Sequence, residues 1–146
     1  MRAKEYLQAI RSVKHRLEVA DKEIEQARQN AYSLQCVNYS KDKVDGGEHV
    51  DLSNKIAQAE KIIEKIEKRR TRLIEIREEA RERINALPDI DAQALLIEYC
   101  IIVKPLWKIQ KEAVLSRSGF NKRMKKAVNC FNNEYGDWLV DVELWD

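Results

Sequence analysis

Apolar residues in the first third of the chain recur at alternating spacings of three and four. Ala3, Tyr6, Ile10, Val13, Leu17, Ala20, Ile24, Ala27, Ala31 and Leu34 form this stripe, and almost every position between them is polar. A stripe sustained over about four heptads predicts one amphipathic helix over residues 2–34. Its apolar seam needs a partner. Residues 35–51 break the rhythm with Asn38, Ser40, Asp42, Asp45 and Gly46-Gly47, so a loop is expected there, with Asp51 or Ser53 as the next helix cap. A second stripe (Leu52, Ile56, Ala59, Ile63, Ile66, Leu73, Ala80, Ile84, Leu87) predicts a helix over 52–87. Two stripes of similar length joined by one loop fit an antiparallel helical hairpin, closed within one chain or between two. Its interface residues are Ile10, Val13, Leu17 and Ile24 on one helix and Ile56, Ile63, Ile66 and Leu73 on the other. Lys68-Arg69-Arg70 interrupts the second stripe. An arginine there either lays its stem on the seam with its head in water, or sets register or meets an anion.

Leu87-Pro88-Asp89 marks a boundary, because proline turns its predecessor away from helix and Asp89 is a ready cap. Three short helices are expected beyond it. Residues 90–103 read as buried, through Ile90, Ala94, Leu95, Ile97, Ile101 and Ile102. A helix over about 106–113 follows Pro105. A last helix over about 117–133 follows Ser116 or Ser118, with Phe120, Met124, Ala127, Val128 and Phe131 on one face. The chain is thus expected to be all-α: a hairpin at 1–87, a helix-turn-helix-like module at 88–134 and a tail at 135–146. In the tail Val140, Val142 and Leu144 alternate with Asp141 and Glu143, which suits a short strand or an extended arm.

Composition supports helices. Of 146 residues 36% are charged, with only four glycines and two prolines. The net charge of +2 conceals a sharp local asymmetry. Residues 104–126 carry eight Lys or Arg against Glu112 alone, whereas residues 127–146 carry five acids and no base. The three cysteines are widely spaced and the only histidines are His15 and His49, so neither a disulfide framework nor a metal site is expected. Nothing is long and apolar enough to span a membrane. A reduced, cytoplasmic setting follows as the expectation. No phosphate loop and no nucleophile with a plausible base is present, so neither enzymatic activity nor a cofactor is expected.

The basic segment coincides with the helix–turn–helix layout of 106–131. A helix of this kind fits the DNA major groove, where Arg and Asn reach base edges and Lys neutralises phosphates. The outward face of the last helix presents Arg117, Ser118, Asn121, Lys122 and Lys125 as base-facing candidates. Lys104, Lys108, Lys111 and Lys126 are phosphate candidates. The alternative is a structural cap on the hairpin, in a protein whose coiled coil is the functional surface for interaction or assembly.

The run Ala3-Lys4-Glu5-Tyr6-Leu7-Gln8-Ala9-Ile10-Arg11, the charged hairpin and the Ile84…Leu87-Pro88-Asp89 boundary resemble the DUF1492 family of phage and prophage proteins. That family is associated with ArpU- and RinA-type phage transcriptional regulators, and its C-terminal module is similar to region 4 of sigma factors. Its pattern there is roughly W-x-x-I-A-x-x-L-G-x-S. Ile109, Ala113, Leu115-Ser116 and Ala127-Val128 fall at the matching offsets, with Trp107 two residues before Ile109 rather than three. The resemblance implies a regulator of phage gene expression in the bacterial host cytoplasm. It would bind double-stranded DNA and use the hairpin to pair with itself or to contact RNA polymerase. The chain departs from the pattern at Val114, which stands where the turn usually has glycine, and at Pro105. Gly119 falls early in the recognition helix.

Overall fold

The computed structural model describes residues 1–40 and 46–145, and among these the side chains of 1–34 and 52–145. All regular elements among the described residues are helical: α1 (Ala3–Ser40), α2 (Gly46–Asn85), α3 (Ile90–Leu96) running into a π-helical turn (Ile97–Ile102), α4 (Leu106–Glu112) and α5 (Arg117–Leu139). Contacts divide the chain into two compact units, one of Arg16–Leu73 and one of Met1–His15 with Ile74–Asp146.

The unit at 16–73 is a helical hairpin. Ala20 and Ile24 of α1 pack on Ile66 and Ile63 of α2. Three ion pairs cross between the helices: Asp21–Arg70 (2.7 Å), Glu23–Arg69 (2.6 Å) and Arg28–Glu67 (3.4 Å). Partner numbers fall as α1 advances, so the helices run antiparallel. Arg69 and Arg70 therefore do more than snorkel, because each grips a carboxylate of the opposite helix and together they pin the register. These pairs are half-exposed, so their energetic contribution is small and their value is in alignment.

Both long helices exceed their expected bounds. α1 runs on to Ser40 and α2 begins at Gly46, so Asp51 and Ser53 lie inside α2 and are not its caps. A glycine pair disfavours helix mainly in an interior, whereas here it opens the first turn, whose N–H groups lack intrahelical partners in any case. Of the expected seam, Ile10, Val13, Leu17, Ile24, Ile66 and Leu73 are buried, whereas Ile56 and Ile63 are half-buried. Cys36 and His49 fall outside the described side chains.

The second unit has a true core. Tyr6, Leu7, Ile10 and Val13 come from α1, and Ile76, Ala80 and Ile84 from α2. Leu96, Cys100, Phe120, Ala127 and Phe131 come from the C-terminal helices. Asp89 caps α3 as expected, accepting from the N–H groups of Asp91 (3.0 Å) and Ala92 (3.3 Å). The buried face of α3 and the π turn is Ala92, Leu96, Cys100 and Ile101, of which only Ile101 belongs to the face expected; Leu95 and Ile97 are half-buried and Ala94 is exposed. Ile90 is 77% exposed and Ile102 48%. The cap at Asp89 sets the helical phase, which puts the 92–96–100 row inward.

Val103 ends the π turn in the left-handed region (φ 61°), ahead of Pro105. Arg11 holds this corner. Its guanidinium donates to the carbonyls of Tyr99 (2.6 Å) and Lys104 (3.0 Å) and lies 4.6 Å over the Tyr99 ring. A cation is well placed on carbonyls left without intrahelical partners.

α5 is longer than the sequence suggests. Tyr135–Leu139, expected to open the tail, continue it, and no strand forms over Val140–Leu144, where the alternation suggested one. The cause is an aromatic cluster that extends the helix's inner face: Tyr6 stacks on Phe131 (5.4 Å) and meets Trp138 edge-on (5.4 Å), while Tyr135 contacts Phe131 at 4.9 Å. The Tyr135 hydroxyl donates to the Arg83 carbonyl (2.9 Å), and the Arg83 guanidinium lies 3.7 Å from the Trp138 ring centre. After Leu139 the chain turns, and Leu144 is buried.

Burial pushes the Tyr6 phenol up from 10.0 to about 12, against the opposing pull of Arg83, and pushes the Cys100 thiol up from 9.0 to about 12. In the unfolded chain both ionise at their ordinary values, so the unfolded state loses protons first as pH rises. Stability is full below about pH 9 and declines towards about pH 12. Urea midpoints should hold up to about pH 9 and fall steadily from there towards about pH 12. A flat profile would mean that neither group is buried in solution.

Candidate nucleic-acid interface

The basic segment folds locally as helix, tight turn and helix. α4 is anchored by one buried side chain, Ile109, and leaves Leu106 (47%) and Trp107 (66%) exposed. Trp107 is thus not the core residue its apolar character suggests. The turn reverses at Val114, which is left-handed (φ 53°) and almost fully exposed. A β-branched residue is strained there by about 1–2 kcal/mol, and the geometry is the one glycine adopts freely. The side-chain amide of Gln110 braces the turn by donating to the Leu115 carbonyl (3.3 Å).

Ser116 caps α5, its hydroxyl accepting from the Gly119 N–H at 3.1 Å. A Cβ on Gly119 would lie 3.2 Å from that hydroxyl oxygen and 3.7 Å from Leu115. The glycine that weakens the helix by propensity thus leaves room for its cap.

Lys104 lies apart from the other basic candidates. Its ammonium grips Glu112 (2.7 Å) and Glu98 (3.3 Å), strapping α4 to the π turn. The hydrogen bonds to Glu112 and Glu98 hold its pKa above the usual lysine value, and the same strap holds the Glu112 carboxyl below its own. Lys104 is a structural tie and not an open phosphate contact. Lys108 is exposed but close enough to Glu112 to help lower its pKa.

The remaining six are different. Five of these, Lys111, Arg117, Lys122, Lys125 and Lys126, were candidates from the sequence and Arg123 was not; all six are exposed, and none forms an ion pair with a described residue. Basic side chains of the long helices are commonly paired by contrast, as at Arg28, Lys68, Arg69, Arg70, Arg81 and Arg83. A helical repeat of 3.6 puts Ser118, Lys122, Lys125 and Asn129 along the crest of α5, opposite buried Phe120, Ala127 and Phe131. Arg117 stands in the first turn and Asn121 on one flank.

Grooves border the crest on either side. One, of about 500 Å³, runs between Lys122, Lys126 and Asn133 of α5 and the Pro88-Asp89 corner. The other, of about 470 Å³, lies between α5 and the start of α1, where Lys4, Leu7 and Gln8 face Asn121, Met124 and Lys125. Lys4 and Gln8 were not among the sequence candidates. The sequence pattern gave them no signal, because they occupy polar positions between the residues of the α1 stripe. Among the described residues no cluster of His, Cys, Asp or Glu is arranged to hold a metal, and no helix is long and apolar enough to cross a membrane.

Neither a curated protein nor a solved structure matches the chain. A family model described as a protein of unknown function, DUF1492, matches residues 33–132, which include the second helix, the Pro88-Asp89 corner and most of the basic face. That is 100 of 146 residues, and the chain belongs to the DUF1492 family.

Proposed function

We propose that the protein binds double-stranded DNA through α4, the Val114 turn and the first half of α5, and that it regulates transcription in the manner of phage-type regulators. The observation that carries this reading is the set of six exposed basic side chains, unpaired among the described residues, on and beside a capped helix with a polar crest. Unpaired surface cations on one face favour a polyanion, whose condensed counterions they displace. Ser118, Asn121, Lys122 and Lys125 are positioned to meet base edges, the two lysines lying against phosphates as well, with Arg117 at the positive end of the helix dipole. Lys108, Lys111 and Lys126 are positioned for phosphates. The acids from Glu134 onward confine the contact to the N-terminal half of α5. The protein acts without catalysis or cofactor in this reading, in the host cytoplasm, and the hairpin serves to dimerise or to contact RNA polymerase.

Lys122→Ala tests the crest. Polarisation titration against random duplex is expected to show weaker binding and a log K against log salt slope shallower by about one. Unchanged binding would remove α5 from the interface.

A second reading, a coiled-coil interaction protein, draws on the far part of the hairpin. There Leu52, Ile56 and Ile63 are only half-buried, and Ile62 (52%) and Tyr32 (68%) are exposed. It requires self-association or partner capture with no response to DNA.

A further inference from the structure

We infer that the groove between α1 and α5 seats the sugar-phosphate backbone of one DNA strand, which makes the N-terminal helix part of the nucleic-acid surface. This rests on the DNA-binding reading above and extends it to residues outside the helix-turn-helix.

The lining carries the inference. Lys4 and Lys125 stand on the two walls, and neither is ion-paired with a described residue. Gln8, Asn121 and Asn129 add amide donors, and the half-buried Met124 and Val128 add apolar surface over the buried Leu7. No carboxylate lines the groove. A nucleic-acid backbone alternates anionic oxygens with apolar sugar faces, and lysines and amides combined with apolar surface match that alternation. The placement is also right. The groove runs beside the α5 crest, so a helix seated in the major groove would bring a bordering strand against this flank.

Tyr6 and Leu7 fix the arrangement. Tyr6 stacks on Phe131 of α5, and the carbonyl of Leu7 accepts from the Cys100 thiol at 3.5 Å. The first turns of α1 are thereby held against the C-terminal helices, with Lys4 and Gln8 left at the rim.

The test is a salt series of polarisation titrations on random duplex, with the full chain and the variants Lys4→Ala, Gln8→Ala and Lys61→Ala. Lys61 lies on the hairpin and controls for loss of one positive charge. Lys4→Ala is expected to lower affinity several-fold and to make the salt slope shallower by about 0.9, as for one lost phosphate contact. Gln8→Ala should weaken binding with little change in slope, and Lys61→Ala should match the parent. Thermal melts should superimpose, because Lys4, Gln8 and Lys61 are all exposed. If the parent binds and Lys122→Ala weakens it while Lys4→Ala and Lys61→Ala are alike, the groove does not hold the backbone and the crest reading stands alone. If the parent binds no duplex at all, both fall together. If a polyglutamate peptide binds the parent in a Lys4-dependent way and duplex does not, the groove belongs to an acidic protein segment instead.

Discussion

Replacing Phe131 by alanine is expected to destabilise the unit containing the C-terminal helices by about 3–5 kcal/mol, the usual range for emptying a buried aromatic site. Phe131 has no exposed surface, stacks on Tyr6 at 5.4 Å with the rings 17° apart, and contacts Tyr135 at 4.9 Å. It joins the first turns of α1 to the middle of α5, so its loss removes packing and also the tie that holds the two helices together. Small domains have only about 5–15 kcal/mol in total, so the change is a large share of the stability. The urea midpoint should fall sharply, and Phe131→Leu should recover much of the loss by refilling the volume. A cost below about 1.5 kcal/mol would mean that the site collapses or that the aromatic cluster is not formed.

The largest functional effect is expected from reversing three charges at once. Lys122→Glu, Lys125→Glu and Lys126→Glu together remove three cations from the crest of α5 and its flank and put three anions in their place. If each lysine meets a phosphate, the salt slope should become shallower by about 2.7 and affinity for duplex at low salt should drop at least about a hundredfold. All three side chains are exposed and unpaired among the described residues. Stability should therefore change little, within about 0.5 kcal/mol per surface site. An unaltered helical signal with binding abolished supports the interface. Undiminished binding by the triple variant would place any nucleic-acid contact elsewhere on the chain.

What the sequence revealed and concealed follows from the range of the interactions. The heptad stripes of α1 and α2 are local patterns, and they predicted two long antiparallel helices. Asp89 and Ser116 act within three residues, so their caps were readable too. Helix ends were less so. Gly46 opens α2, against its reputation as a breaker, because a first turn tolerates glycine. The π turn at Ile97–Ile102 was hidden because its apolar residues pass for an ordinary buried helix, and a wrong phase made Ile90 look buried. The continuation of α5 through Tyr135–Leu139 depends on Tyr6, more than a hundred residues away in sequence. The site divides in the same way. Lys122, Lys125 and Lys126 stood out by local charge. Lys104 looked equivalent until the fold brought Glu98 and Glu112 onto its ammonium. Lys4 and Gln8 lie beside Asn121 and Lys125 only through tertiary packing, which one-dimensional periodicity does not encode.

The most direct test of the DNA-binding account is the affinity of the folded 146-residue chain for random duplex DNA across a salt series. The unpaired face of α4 and α5 predicts binding at low salt whose log K falls against log salt with a slope of several units, about 0.9 for each phosphate engaged. Absence of binding at low salt, with the helical signal intact, would contradict it. It would leave the basic face as a solvated surface and the hairpin as the functional part of the protein.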